Sequence, residues 1–321
     1  FMIYAPKHRV INAPSFRDKI VQRALTDKVV YPALAPSIPF NAYAAQTGKG
    51  QHMALDMMEK NMRTYFLRRK AADEAARKAA GLPYRPMNEW DYANGWVVKG
   101  DVRKCFPSTD HDKLKAAVYP KLPGPEFCDL LGKYIDQVEG LALGHQTSHI
   151  CAVFYMSKPL NFINQELGHP ESGMFMDDWY VIVETKEEAR RVLDAARTEF
   201  GKLGYELNEK TGIFPLRNGI DFCGFHVYLT NTGRVIRKLR QSSKKKMKRR
   251  IKKWERDYKA GLITREKIEE SFQAWNAHAA HGDTRVLRKQ LRAKVDNIFK
   301  EANQHEQENQ HPGRGQSCET Q

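Results

Sequence analysis

Two short apolar runs flank an acidic pair near the middle of the chain. The runs are residues 173–176 and 179–183, and Asp177 and Asp178 lie between them. Short runs rich in aromatic and β-branched residues, separated by a tight polar turn, are typical of a β-hairpin. The pattern therefore predicts two strands with both carboxylates at the hairpin tip.

Helical periodicity appears in several other stretches. Apolar residues recur at helical spacing in residues 14–25, 150–163 and 186–203. A further strand candidate, residues 96–98, leads to Asp101. The middle of the chain is therefore predicted to mix helices with strands.

Adjacent carboxylates inside an apolar run need a compensating charge. Ionised carboxylates this close repel each other unless a cation neutralises them, and Mg²⁺ prefers hard oxygen ligands. Asp101 offers a third carboxylate, with Phe106 five residues later. Three carboxylates on neighbouring strands are able to hold two Mg²⁺ ions for in-line phosphoryl transfer. Taken alone, Asp177 and Asp178 are equally consistent with the polar turn of a hairpin.

The two acidic segments together resemble the palm of reverse transcriptases. Residues 175–178, Phe-Met-Asp-Asp, are similar to the aromatic-x-Asp-Asp box of that family. Residues 101–106 resemble its first catalytic motif, an Asp followed by four residues and an aromatic. The resemblance implies that the three aspartates are catalytic and hold two Mg²⁺ ions, with Mn²⁺ as an alternative. The implied metal ligands are Asp101, Val102, Asp177 and Asp178.

The resemblance also implies residues that bind the incoming nucleotide. The basic turn before residues 10–11 resembles the fingers hairpin that grips a triphosphate, and a solvated basic turn is the alternative. The Phe106 ring would exclude a 2′-hydroxyl by overlap, unless it is a core residue. Residues 141–149 resemble the family's next motif, a Gly followed by three residues and Ser. The implied nucleotide contacts are Lys7, Arg9, Phe106, Leu143, Gly144 and Gln146.

Further motifs imply contacts with primer and template. Residues 14–25 resemble a helix of group II intron and retroelement polymerases, and residues 41–55 resemble their Gly-Lys-Gly box. Residues 222–227 resemble the hairpin that supports the primer terminus. Lys210, in a Glu-Lys-Thr box, is implied to protonate the departing pyrophosphate, with a surface ion pair as the alternative. The implied primer and template contacts are Lys49, Ser148, Phe222, Gly224, Phe225, Arg237, Arg240, Lys244, Lys245, Lys248 and Arg249.

Composition narrows the class of partner. The 321 residues have a formal net charge of +15, which fits a polyanion, either nucleic acid or an anionic membrane surface. Residues 234–256 contain thirteen Lys or Arg and one acidic residue, a density typical of a phosphate-binding surface. A calmodulin-type or membrane-surface helix is the alternative. Apolar runs fall short of the roughly 20 residues of a membrane span, and the five cysteines form no C-x-x-C pair, so we expect a cytoplasmic protein without a membrane partner.

From the resemblance we expect an α+β right-hand polymerase with fingers, palm and helical thumb. The palm is expected to be an antiparallel sheet with helices on one face. The expected domains are residues 1–96 for the fingers and the start of the palm, 97–232 for the palm with the catalytic motifs, 233–300 for the basic helical thumb and 301–321 for a disordered polar tail. Because the sequence starts at Phe1 rather than Met, we expect further sequence upstream.

The implied function is RNA-directed DNA synthesis from an RNA template, a DNA or RNA primer and dNTPs. Leu143 before Gly144 is characteristic of bacterial diversity-generating retroelement polymerases, which work with a basic accessory protein, although those usually have Gln where this chain has His149. A defence-associated reverse transcriptase that copies a dedicated structured non-coding RNA during phage infection is the main alternative. An intron maturase, an RNA-dependent RNA polymerase and a non-catalytic RNA-binding scaffold are the others.

Overall fold

The computed structural model describes residues 1–3 and 9–310, and this part of the chain contains both helices and strands. The strands are β1 (Met2–Ile3), β2 (Arg9–Val10), β3 (Trp96–Asp101), β4 (Ser172–Phe175), β5 (Asp178–Val183), β6 (Gly212–Pro215), β7 (Ile220–Phe222), β8 (Phe225–Leu229) and β9 (Val235–Leu239). The helices are α1 (Phe16–Leu25), α2 (Tyr31–Leu34), α3 (Gln51–Ala79), α4 (His111–Val118), α5 (Pro125–Ile135), α6 (Gln146–Gln165), α7 (Lys186–Lys202), α8 (Gln241–Lys259), α9 (Arg265–Ala279) and α10 (Arg285–Gln310). The predicted α+β class is confirmed.

A four-stranded antiparallel sheet carries the acidic segments. Its strand order is β4-β5-β3-β6, and β3 pairs antiparallel with both β5 and β6. Met176 and Asp177 join β4 to β5, so the predicted hairpin is confirmed and Asp178 is the first residue of β5. Met176 has a φ of 55°, the left-handed conformation that tight hairpin turns require.

Both faces of this sheet are covered. On one face the Trp179 ring stacks on Phe200 of α7, with centroids 5.8 Å apart. On the other face, Asn61 of α3 donates a hydrogen bond to the Tyr180 hydroxyl at 3.0 Å, and the Tyr180 ring lies 5.2 Å from that of Phe222. We expected helices on one face. The second face is covered as well because β5 is apolar at every position from 179 to 183, the pattern of a strand that is buried on both sides.

A glycine separates Lys99 from Asp101 where β3 passes the Trp179 ring. Gly100 pairs with Trp179 across the two strands, and a Cβ at Gly100 would lie 2.2 Å from the indole Cζ2. Glycine therefore fits at this position because the ring occupies the space of a side chain. The next pair in the same register is Asp101 with Asp178.

The chain divides into two compact units. The first comprises Phe1–Cys223 and Val227–Val235, and the second comprises Gly224–His226 and Ile236–Gln321. The predicted bounds of the fingers, palm and thumb remain predictions. One apolar core contains both Leu25 of α1 and Val98 of β3.

The second unit is built around an apolar core shared by its three helices. Met247, Ile251 and Trp254 of α8 contribute to this core together with Phe272 of α9 and Val295 of α10. The spacing of the α8 residues places them on one face of the helix, which leaves most of its basic residues exposed on the other.

The last helix is longer than the sequence pattern suggested. α10 continues to Gln310, so residues 301–310 are helical where we expected part of a disordered tail. These residues are rich in Gln and Glu, which are good helix formers, and the helix breaker Pro312 comes afterwards. Residues 311–321 lie outside the described part of the chain. Of the helices that the structure describes, none combines the length and the apolar character needed to span a bilayer.

Candidate active site

The three predicted carboxylates are neighbours at one end of the sheet. Asp101 ends β3, and the antiparallel register places it directly opposite Asp178. Asp177 precedes this pair in the turn, and its carbonyl oxygen accepts a hydrogen bond from the Val102 amide at 3.2 Å. The negative charge of Asp177 lies close enough to act on the Asp101 carboxyl group. Asp101 and the Asp177–Asp178 pair, which are far apart in the sequence, are therefore neighbours in the fold.

The electrostatics of this cluster are unfavourable for three ionised carboxylates. Burial and the negative charge of Asp177 together raise the pKa of Asp101 to about 6. The charge of Asp178 acts in the same direction, and Lys99 opposes it. The free protein therefore holds more negative charge here than its own cations compensate.

Lys99 belongs to the cluster although the sequence analysis did not assign it. Its ammonium group contacts the Asp178 carboxylate. Lys99 and Asp101 lie on the same face of β3 because alternate residues of a strand share a face. A lysine two residues before a candidate ligand, inside a predicted strand, is the signal that would have identified it.

The donor chemistry of the cluster fits hard divalent cations. Carboxylate oxygens are the ligands that Mg²⁺ prefers, and the strand register brings Asp101 opposite Asp178, next to Asp177. Within residues 1–3 and 9–310, however, no group of three or more His, Cys, Asp or Glu side chains is arranged as a ready-made metal site. Asp178 is held by Lys99 and acts on Asp101 through its charge. Coordination by all three carboxylates and by Val102 therefore remains a prediction.

The segment before β6 is fastened to the backbone of Asp101. The Asn208 amide donates a hydrogen bond to the Asp101 carbonyl oxygen at 2.7 Å. The Asp101 amide in turn donates to the Thr211 hydroxyl at 3.3 Å. Lys210 is exposed on this segment, and its proton-transfer role remains a prediction. The sequence analysis missed the contacts of Asn208 and Thr211 because they depend on the tertiary pairing.

Phe106 is packed as a core residue in this conformation. It is 6% exposed, and its ring meets that of His149 edge to face, with centroids 5.5 Å apart. Core packing was the alternative that the sequence analysis left open. The structure adds His149 as the partner of the ring, and exclusion of a 2′-hydroxyl by Phe106 remains a prediction.

The Leu143-Gly144 loop is held against the segment that follows β2. The Asn12 amide donates a hydrogen bond to the Leu143 carbonyl oxygen at 2.8 Å. Gly144 has a φ of +114°, and a Cβ there would lie 2.8 Å from the Asn12 carbonyl oxygen. Glycine is therefore required by the protein's own backbone. Leu143 is half-buried and Gly144 is exposed, and their contacts with a nucleotide remain predictions.

Two predicted binding residues line a shared cleft of about 460 Å³ in the first unit. Its lining includes Arg23, Asp27, Lys49, Gln146 and His149. Burial lowers the pKa of Lys49, whose ammonium group donates to the carbonyl oxygens of Phe40 and Ala42 at 2.9 and 3.1 Å. The side-chain amide nitrogen of Gln146 donates a hydrogen bond to the Asp27 carboxylate at 3.1 Å. The sequence analysis did not identify Arg23 and Asp27 as neighbours of these residues.

Three predicted primer or template contacts have buried side chains. Ser148 is 3% exposed, and Phe222 and Phe225 are fully buried. Phe222 packs on Tyr180 in the first unit, and the Phe225 ring lies 5.0 Å from His278 in the second. Burial of the two rings stabilises the fold, and contacts of the three residues with primer or template remain predictions.

The remaining predicted primer and template residues lie in the second unit. Gly224 has a φ of 86° in the turn between β7 and β8, which explains the glycine. Three of the basic residues are exposed on α8, and three are half-buried. The exposed ones are Lys245, Lys248 and Arg249, and the half-buried ones are Arg237, Arg240 and Lys244.

The basic hairpin is described only in part. Lys7 lies outside the described residues, and so does the side chain of Arg9, whose backbone pairs with that of Ile3. Their contact with a triphosphate remains a prediction.

The raised pKa of Asp101 predicts a pH dependence of stability in the presence of a chelator. The folded-state pKa of about 6 exceeds the ordinary value of 3.8. Asp101 therefore binds more protons in the folded chain than in the unfolded chain between about pH 4 and 6, and its contribution to the free energy of unfolding falls as pH rises through this window. We expect Asp101→Asn to be more stable than wild type by about 1–2 kcal/mol at pH 7, after allowance for solvent screening, and equally stable near pH 4. Urea denaturation measures both values.

The matched control for this prediction is Asp194→Asn, because the Asp194 side chain is 74% exposed on α7. We expect no change in its free energy of unfolding at either pH. A gain for Asp101→Asn of equal size at both pH values would contradict the electrostatic cause.

Comparison with known proteins places the chain in a family. A search of curated proteins finds no match. Among solved structures, apo telomerase from Candida tropicalis truncated from its C-terminal domain is 15% identical, with a TM-score of 0.47 over 72% of this chain and 52% of that one. Apo telomerase from the same organism is 14% identical, with a TM-score of 0.49 over 95% and 57% of the two chains. Telomerase from Candida albicans in complex with the TWJ fragment of telomeric RNA is 10% identical, with a TM-score of 0.42 over 88% and 54%.

The chain thus spans a little over half the length of these telomerase chains. Family membership rests on a different comparison, which covers more than two thirds of this chain. The family model described as reverse transcriptase (RNA-dependent DNA polymerase) matches residues 5–227, a range that includes the whole carboxylate cluster. The chain therefore belongs to the reverse transcriptase family.

Proposed function

We propose that this protein is an RNA-directed DNA polymerase that copies an RNA template by nucleotidyl transfer at the Asp101, Asp177 and Asp178 cluster. The proximity of Asp101 to Asp177, whose charge acts on it, with Asp178 opposite in the strand register, carries the proposal. A turn that served only the fold would gain nothing from a third, partly buried carboxylate beside it. The match of the chain to the reverse transcriptase family supplies the reaction class.

The carboxylates have a defined task in this reaction. Divalent cations bound to Asp101, Asp177 and Asp178 would activate the primer hydroxyl and neutralise charge on the triphosphate. The chain contributes orientation, because β3 and the β4–β5 hairpin fix the backbone positions of Asp101 and Asp177 next to each other. Lys210, exposed on the segment fastened to Asp101, would donate a proton to the leaving pyrophosphate.

Recognition of the polyanionic substrates falls to basic surfaces. The exposed lysines and arginine of α8 fit a phosphate backbone without reading its sequence. In the first unit, the cleft lined by Arg23, Lys49 and Gln146 offers a second polar and cationic surface for the template. Binding should therefore weaken steeply as salt is raised.

Replacing one carboxylate tests the proposal. We expect Asp177→Asn to lower Mg²⁺-dependent dNTP incorporation on a primed RNA template by at least about a thousandfold, equivalent to about 4 kcal/mol of barrier, because the paired carboxylate is lost. RNA affinity, measured by fluorescence anisotropy, should stay within about twofold of wild type.

Asp194→Asn serves again as the control, since it removes one exposed carboxylate outside the cluster, and it should retain full activity. Synthesis by Asp177→Asn at the wild-type rate would refute the assignment. Absence of synthesis by the wild type, on several primed templates and in Mg²⁺ or Mn²⁺, would favour a non-catalytic RNA-binding scaffold.

A second experiment addresses the choice of sugar. We expect Phe106→Val to increase ribonucleotide incorporation relative to deoxynucleotide incorporation by at least about tenfold, since the ring would no longer overlap a 2′-hydroxyl. The cavity should cost about 1–3 kcal/mol of stability. Competitive incorporation assays with dNTP and rNTP measure the ratio.

Phe200→Val is the matched control, because Phe200 is another buried ring of the same unit, packed on Trp179 rather than on His149. An equal shift in both variants would assign the effect to general loosening of the core. A wild-type protein that prefers rNTPs would instead favour RNA-dependent RNA synthesis.

The biological role that we propose is a bacterial diversity-generating retroelement. Leu143 before Gly144 supports this role, since an aliphatic residue there accompanies error-prone copying in that group, and a basic accessory protein is then implied. The defence-associated type, which copies a dedicated non-coding RNA, is the second candidate, since His149 departs from the Gln that is usual in the retroelement group.

Sequencing of the cDNA distinguishes the two roles. We expect errors concentrated at template adenines, because the retroelement type diversifies its product there. Errors spread evenly over the four template bases, at a low rate, would contradict this role and favour the defence role. An exposed-site variant such as Asp194→Asn should leave the error pattern unchanged.

A further inference from the structure

Lys99 places a fixed positive charge inside the carboxylate cluster. The register of β3 and β5 pairs Lys99 with Tyr180 and Asp101 with Asp178, so Lys99 and Asp178 are diagonal neighbours. A lysine side chain is long enough to bridge this diagonal on one face of a sheet. Its ammonium group contacts the Asp178 carboxylate in the structure.

The environment of this ion pair makes it more than a surface contact. The side chains of Lys99 and Asp178 are 22% and 27% exposed, respectively. Charges that are partly withdrawn from water interact more strongly than exposed ones and are screened less by salt. The neighbours of Lys99 across the strands, Tyr180 and Gly212, carry no charge that would draw the ammonium group away.

The ammonium group and a divalent cation need the same carboxylate. An ammonium ion and a divalent ion cannot both approach the Asp178 oxygens closely without repelling each other. When the cluster holds no divalent ion, Lys99 compensates part of its negative charge and fixes the direction of the Asp178 side chain.

We propose that Lys99 is a positioning residue that holds Asp178 in the metal-free centre and competes with divalent cations for it, and so sets the cation concentration at which the centre fills. The inference rests on the proposed function, because it concerns the same carboxylates. It goes further in assigning a role to a residue outside the aspartate motifs and in giving the direction of its effect.

Direct titration with Mn²⁺ tests the inference without relying on activity. Free Mn²⁺ is followed by electron paramagnetic resonance as MnCl₂ is added to the full chain. We expect Lys99→Met, which keeps the apolar stem and removes the charge, to lower the midpoint of Mn²⁺ binding at least about threefold. Lys99→Arg keeps a cation at this position and should stay within about twofold of wild type.

Matched variants separate this effect from a general change in the fold. Lys115→Met removes a lysine of similar exposure, 21%, that is paired with Asp136 on other elements, and it should leave the Mn²⁺ midpoint unchanged. Lys99→Gln provides a second uncharged variant if Lys99→Met does not fold, as judged by urea denaturation.

The outcomes are distinguishable from those for the proposed function. The proposed function stands if wild type incorporates dNTPs and Asp177→Asn abolishes both synthesis and saturable Mn²⁺ binding. If, in that case, the uncharged Lys99 variants show an unchanged or raised Mn²⁺ midpoint, the inference about Lys99 is wrong. If wild type shows no saturable Mn²⁺ binding, or if Asp177→Asn does not remove that binding, then the inference about Lys99 and the proposed function are both overturned.

Discussion

The antiparallel register between β3 and β5 is the constraint on which the candidate site depends. It places Asp101 opposite Asp178 and Gly100 opposite Trp179. A slip of one residue would turn every side chain of β3 to the other face of the sheet, which would carry Asp101 to the face on which Val98 and Trp179 are buried. The register is therefore specified by packing, and the position of the carboxylates is a consequence of it.

Magnitudes show why packing is able to hold an unfavourable cluster together. An aromatic side chain buries about 150–250 Å², which at about 25 cal/mol per Å² stabilises the fold by roughly 4–6 kcal/mol as an upper estimate. Trp179 and Tyr180 are both fully buried on opposite faces of β5. Keeping Asp101 partly desolvated beside Asp177 costs about 1–2 kcal/mol. The apolar pairs next to the cluster outweigh this cost, so the fold tolerates a concentration of negative charge that it does not itself need.

The sequence predicted the parts of the site that follow from local pattern. The hairpin around Asp177, the strand that ends at Asp101 and the bounds of α7 all follow from apolar periodicity within a few residues. The roles of Lys99, Asn208 and Thr211 could not be predicted in the same way, because each depends on which strands become neighbours. The buried state of Ser148 and Phe222 was missed for a related reason, since a motif identifies a residue type but not the side from which other elements cover it.

A motif residue supports a function more strongly when the packing of the fold does not by itself explain it. Gly100, Gly144 and Phe222 are explained by the protein's own packing, so a non-catalytic protein with this fold would need them too, and they are weak support for catalysis. Asp101 and Asp177 are different, because their mutual repulsion and partial burial oppose folding. Charged residues that oppose folding and yet occupy a position fixed by the fold are best explained by a binding partner that neutralises their charge. Divalent cations are such a partner, so the carboxylates support polymerase chemistry more strongly than the number of matching motifs does.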